Sequence, residues 1–256
     1  MTKKNNIKFL IFGLSLIFTA QLTKAQEHKE NWPPAPPIIT PGATNSDAPS
    51  DAIILFNGKN LDQWISAKDD SPAKWPVSGN IFTVNKSAGD IKTKQYFSNY
   101  QLHIEWKIPA TIKGESQARG NSGIFLAVLD TGFYGYELQV LDSYNNKTYP
   151  NGQAGSIYLQ YVPLVNACRK PGEWQTYDVI WTAPTFNDDS TLKTPARVTV
   201  LHNGVLVQNN VSLLGTTLSF FTKSSYRKHG PARISLQAHG DPSEPISYRN
   251  IWIRNL

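Results

Sequence analysis

Two stretches of the chain carry side chains suited to moving protons and orienting hydroxyls. In Tyr136-Glu137-Leu138-Gln139-Val140, polar and apolar residues alternate. A strand sends successive side chains to opposite faces, so Glu137 and Gln139 share one face and Tyr136, Leu138 and Val140 the other. The same reading of Arg233–His239 turns Ile234, Leu236 and Ala238 toward a core and puts Ser235, Gln237 and His239 on the opposite side with Arg233. A carboxyl, an imidazole and two primary amides are groups that transfer protons and bind hydroxyls. A solvated sheet face more often carries Lys, Thr and Glu with no special chemistry. The stretches become a binding cleft only if they belong to one sheet.

The elements that must position them are short strands. Leu102, Ile104, Trp106 and Ile108 alternate with Gln101, His103, Glu105 and Lys107. Comparable runs occur at 53–56, 81–84, 124–128, 177–181, 198–201, 205–208 and 251–253. Asn203-Gly204 between two of them supplies the positive φ values of a tight hairpin. Outside the N-terminal segment, no stretch sustains the apolar spacing of an amphipathic helix for three turns. About ten short strands without intervening helices predict an all-β, antiparallel β-sandwich.

The composition fits: 40% hydrophobic and 11% aromatic residues exclude a disordered chain, and 256 residues suffice for one core without staples. The formal charge of +6 comes largely from Lys3, Lys4, Lys8 and Lys24. Without them 21 basic residues face 19 acidic ones, which gives no electrostatic case for nucleic acid or for an anionic membrane. Those lysines flank the 12-residue apolar run Phe9–Ala20, too short to span about 30 Å of hydrocarbon as a helix. Thr23-Lys24-Ala25 then offers a small-x-small cleavage site, so residues 1–25 read as a signal peptide and the mature protein as exported, periplasmic or secreted. Residues 26–50 hold six prolines and read as an extended tether before a domain at 51–256. Cys168, the only cysteine, cannot form an internal disulfide and reads as a small buried hydrophobe rather than a nucleophile.

An ordered set of motifs then appears. Phe56-Asn57-Gly58 with Leu61 and Trp64 comes first, followed by Gly120-Asn121-Ser122-Gly123 and Tyr136-Glu137-Leu138-Gln139-Val140-Leu141-Asp142. Gly155-Ser156-Ile157-Tyr158, Pro171-Gly172-Glu173-Trp174, Leu236-Gln237-Ala238-His239-Gly240 and Tyr248-Arg249-Asn250 complete it. From about residue 52 to 256 the chain resembles the 3-keto-disaccharide hydrolase family, also described as 3-keto-glucoside-1,2-lyases. The resemblance implies a concanavalin A-like jelly roll, in an exported protein acting on oxidised glycosides. A ketone at C3 acidifies the C2 proton, so a base can remove it and the C1 substituent can leave by β-elimination before water adds. Glu137 and His239 are the expected proton movers. Asn121, Gln139 and Gln237 would orient hydroxyls, Arg119 and Arg249 would stabilise an enolate or ring oxygen, and Tyr158 would offer a stacking platform.

Alternatives stand beside these roles. His239 has a lesser reading as a turn residue that caps Gly240, and either arginine one as a structural ion-pair partner. Strict alternation puts Asp142 on the core side or in a turn, whereas a bulge would return it to the cleft as a third catalytic group. A carboxylate with His239 could hold a divalent ion, although no closely spaced ligand motif is present. Glu137, Gln139 and Asp142 are also similar to the acid triad of retaining β-glucanases, with the middle acid replaced by an amide. A non-catalytic carbohydrate-binding module and an adhesive surface protein complete the readings. In all but the last, the partner is a small carbohydrate; oligomeric state is left open.

Overall fold

The computed structural model describes residues 34–129, 135–217 and 223–256, so the predicted signal peptide lies outside the described residues. Ile39–Leu256 forms a compact unit. Its strands are β1 (Ile53–Phe56), β2 (Trp64–Ser66), β3 (Val77–Ser78), β4 (Ile81–Thr83), β5 (Ile91–Thr93), β6 (Tyr100–Lys107), β7 (Ser122–Val128) and β8 (Glu137–Val140). After them come β9 (Trp174–Thr182), β10 (Thr185–Phe186), β11 (Leu192–Thr194), β12 (Arg197–His202), β13 (Val205–Ser212), β14 (Arg233–Leu236) and β15 (Ser247–Asn255). The only helices among the described residues are three short 3-10 turns.

Two antiparallel sheets carry the fold. One is ordered β13-β12-β9-β6-β15-β4-β3 with β1 also on β15, and the other β2-β5-β14-β7-β8. The alternation of β6 places Leu102, Ile104 and Trp106 in the core, fully buried. The β12–β13 hairpin turns on Asn203 (φ 53°) and Gly204 (φ 78°), as the Asn-Gly pair requires. Trp64, Trp106 and Trp181 are among the largest buried side chains. Rings of this size each remove roughly 150–250 Å² from water, which accounts for the aromatic-rich composition.

Three phenols of the larger sheet reach across the core to the smaller one. Tyr100 Oη donates to the Leu126 carbonyl at 2.6 Å and Tyr177 Oη to the Gln139 carbonyl at 2.8 Å. Ser122 Oγ spends its proton on the Gln237 carbonyl (2.7 Å), so the 2.9 Å contact with Tyr248 Oη has the phenol as donor. Each bond ends on a strand, or next to a residue, that builds the polar face of the smaller sheet.

Two local readings change. The strand predicted over 233–239 stops at Leu236, because Ala238 N–H leaves the ladder and donates to the Asp90 carboxylate at 2.7 Å. Residues 39–50 fold against β15, where the Ser46 carbonyl accepts from Asn250 Nδ2 (2.8 Å) and Trp252 Nε1 (3.0 Å).

Candidate active site

The register of the smaller sheet brings Glu137, Gln139 and Gln237 together. Lys92 faces Ser235, Ser235 faces Phe125 and Phe125 faces Glu137, so these four form one row across β5, β14, β7 and β8. In the next row Gly123 faces Gln139, and Gln237 N–H donates to the Gly123 carbonyl at 3.0 Å. Ile91, Leu236, Ile124 and Leu138 lie between these rows and fill the core.

Glu137 is 5% exposed, and its carboxyl lies over Gly123. Burial first, and the negative charge of Asp90 second, push its pKa up to about 8. The Gln139 amide beside it has two arrangements. In one, Nε2 donates to Gln117 Oε1 (3.1 Å) and Asn121 Oδ1 (3.2 Å). Both acceptors are fixed, since Gln117 Nε2 is anchored on the Gly152 carbonyl (2.9 Å) and Asn121 Nδ2 on the Gln117 carbonyl (2.9 Å). Gln139 Oε1 then faces Glu137 Oε1, a contact that needs a proton on the carboxyl. In the turned arrangement, Nε2 donates to Glu137 Oε1 (3.2 Å) and to the Ser122 carbonyl (3.3 Å), which suits the carboxylate. The two orientations thus correspond to the two protonation states of Glu137, and the anchored partners favour the neutral acid.

His239 sits in the loop after β14, its Nδ1 3.0 Å from Asp241 Oδ1. Burial opposes the Asp241 charge, but bonds from His239, Ser243 and Lys86 hold its pKa down at about 2. The carboxylate is therefore ionised, and it and the Asp241 N–H (3.2 Å) both contact Nδ1, which holds the ring from that side. Lys86 Nζ donates to the Asp241 carbonyl (2.7 Å) and the Ser243 carbonyl (2.7 Å), and Gly120 N–H donates to Ser243 Oγ (2.8 Å). The histidine loop is thereby fixed to the segment that begins with Gly120-Asn121. Asp90 links Glu137 and His239 through its charge. Its charge raises Glu137, the His239 charge acts on it in turn, and burial keeps its own pKa above the usual carboxylate value.

Glu137, Gln139, Asn121 and Gln237 are brought into one polar face, with Gln237 Oε1 buried and without a hydrogen-bond partner among the described residues. Tyr158 joins through its hydroxyl. It shares a 2.5 Å hydrogen bond with Tyr149, and the charge of Glu137 acts on both phenols. Three expectations change. Asp142 is fully buried, with Oδ2 2.7 Å from Arg119 Nε and Oδ1 accepting from Tyr144 N–H (3.0 Å), the arrangement of a loop anchor. Arg119 is accordingly an ion-pair partner. Arg249 belongs to the other sheet: Tyr248 points inward to Ser122, so its neighbour points outward, where Arg249 Nε meets Glu105 Oε2 at 2.6 Å.

For a divalent ion, Asp142 and His239 each have another partner, and no group of three or more His, Cys, Asp or Glu gathers as a ligand set among the described residues. Burial lifts the Cys168 thiol to about 11, which keeps it protonated at neutral pH. Sequence reading missed Asp90, Gln117, Tyr149 and Asp241. Only Asp241 had a local signal, two residues beyond His239; the others are close only in space.

Asp241 also carries a stability prediction. Asp241→Ala removes the acceptor of His239, Ser243 and the partly exposed Lys86 ammonium and is expected to cost about 1–3 kcal/mol in urea denaturation. Because the native pKa lies below the ordinary 3.8, this stabilisation is present above that pH and lost as the pH falls toward about 2.

An antiparallel sandwich with a carboxyl and amides on the face of its smaller sheet, and an imidazole in the loop that follows β14, defines a concanavalin A-like, carbohydrate-active protein. The family described as a 3-keto-alpha-glucoside-1,2-lyase-like domain matches residues 51–254, and the chain belongs to it. It is similar to the crystal structure of a protein described as a glycosyl hydrolase from Parabacteroides distasonis, with 55% identity, 90% of this chain and 96% of that one covered, and a TM-score of 0.83. A second protein so described from that organism shares the fold at 23% identity, with 80% and 94% covered and a TM-score of 0.56. No curated protein matches the chain.

Proposed function

We propose that this chain is an exported enzyme that cleaves 3-keto-glycosides by β-elimination followed by hydration. The observation that carries the reading is the pairing of a buried carboxyl held neutral with a histidine whose Nδ1 is held by Asp241. A carboxyl and an imidazole can divide the work of acid and base between them. His239 Nε2 removes the C2 proton, and the electron pair of the C2–H bond moves into the C2–C3 enolate. As the enolate collapses toward C1, the C1–O bond breaks and the departing oxygen takes the Glu137 proton. Water then adds across the resulting enol ether, its hydroxyl at C1 and its proton at C2, for net hydrolysis. The Gln237, Gln139 and Asn121 amides bind the hydroxyls and the developing enolate oxygen.

The test is turnover of a phenyl 3-keto-glucoside in deuterium oxide beside its unoxidised parent. Phenol release from the keto compound alone, with deuterium at C2 of the product, is the expected result; release from the parent at equal rate would overturn it. A conventional glycosidase is the second reading. It is favoured by one observation, that Asp90 and Glu137 form a carboxyl pair whose charges interact.

The acid role also fixes the pH profile. Activity is expected to fall as the pH rises through about 8, where Glu137 loses its proton. In Asp90→Asn one source of that elevation is gone, so the alkaline limb of kcat should move to lower pH. An unmoved limb would separate Asp90 from the acid.

A further inference from the structure

Several sequence motifs meet far from Glu137, on the outer face of the larger sheet. Asn57-Gly58, Trp174 and Arg249-Asn250 converge there around Glu105. Gly58 is required by its turn: φ is +89°, and a Cβ would stand 3.0 Å from the Asn80 backbone. Two cavities flank Arg249. The larger, 680 Å³, is lined by Gln101, Thr176 and Trp174 among others, and the smaller, 300 Å³, by Asn57 and Asn80. Amides and hydroxyls dominate, while Ile180, 39% exposed, and Leu201 provide apolar floor.

Arg249 is fixed in place from two sides. Its Nε donates to Glu105 Oε2 (2.6 Å), and its guanidinium carbon lies 4.1 Å from the centre of the Trp174 ring. The other Glu105 oxygen is taken by Asn250 Nδ2 (2.8 Å). Among the described residues, the two terminal amino groups of Arg249 have no partner. Lys107, 4.8 Å over the Trp174 ring, and Arg169 add positive charge with no anionic partner among the described residues. The groove's other carboxylate, Asp178, is engaged by His103 at 2.7 Å. A planar guanidinium held through Nε and stacked on an indole presents its remaining donors as a fork that matches a carboxylate.

We propose that this groove is a second glycan-binding site, separate from the Glu137 site, that takes an acidic oligosaccharide and clasps a uronate carboxylate with the terminal amino groups of Arg249. The amides of the two cavities receive the neighbouring hydroxyls. The site would hold the enzyme on an acidic polysaccharide while the smaller sheet works on a different sugar.

Calorimetric titration of the full chain with tetragalacturonate and with neutral cellotetraose tests it. The acidic ligand is expected to bind at least tenfold more tightly, with an affinity that falls as salt rises. Arg249→Lys, which keeps the charge and loses the fork, should weaken it about tenfold or more. Thr176→Trp, which fills the groove from the strand position opposite Glu105, should abolish it, while Glu137→Gln should bind as the parent does. No preference for the acidic ligand would overturn the proposal. So would binding that survives Thr176→Trp or is lost in Glu137→Gln.

Discussion

Glu137→Gln is expected to lower the rate of C1–O cleavage by about 10²–10⁴-fold, the usual worth of a positioned general acid. The folded protein should hardly notice the change. Glutamine has the same shape, and it removes a group that burial and Asp90 already penalise when charged. The parent carries a pH signature that the variant must lose. Because the native pKa of Glu137 is above its ordinary 4.5, its contribution to stability is complete below that value and declines as the pH rises through about 8. Melting temperatures across that interval should fall in the parent and stay flatter in Glu137→Gln. Full activity with a normal melting temperature would remove Glu137 from the chemistry.

Gly123→Ala should produce nearly as large a loss from a residue with no chemistry of its own. A Cβ at this position would stand 2.5 Å from Glu137 Oε1 and 3.1 Å from Cδ. The atoms it meets belong to the far end of one side chain, and the backbone of Gly123 is not in the left-handed region. The strand can therefore accept the methyl group, and the carboxyl must move. Misplacement by about an ångström costs on the order of 10²-fold in rate. Stability should stay within about 1 kcal/mol, since the lost freedom of the unfolded chain offsets the crowding. Equal losses of activity and stability would instead mark a packing defect.

The strands legible in the sequence are those whose alternation runs long enough to define a face, such as β6 and β12. The three-residue β2 and β5 offer too few positions for a period, yet β5 places Lys92 and lies beside Asp90. The face of Glu137 and Gln139 was readable from alternation alone. What alternation cannot say is which sheet a strand joins. Arg249 and Glu137 both occupy polar positions on strands, but β15 and β8 belong to different layers, so only Glu137 shares a sheet with Gly123 and Ser235. His239 shows the complementary failure. Its strand pattern continues past Leu236, whereas the backbone leaves the sheet for a carboxylate 148 positions earlier in the chain.

The three phenols that cross the core have a consequence for how such an enzyme can change. Tyr177 and Tyr248 terminate on Gln139 and Ser122, so the spacing of the polar face is dictated by side chains rooted in the opposite wall. Variation that retunes substrate choice has to act through loops and rim residues. An altered back wall would instead move acid, amide and glycine as one block.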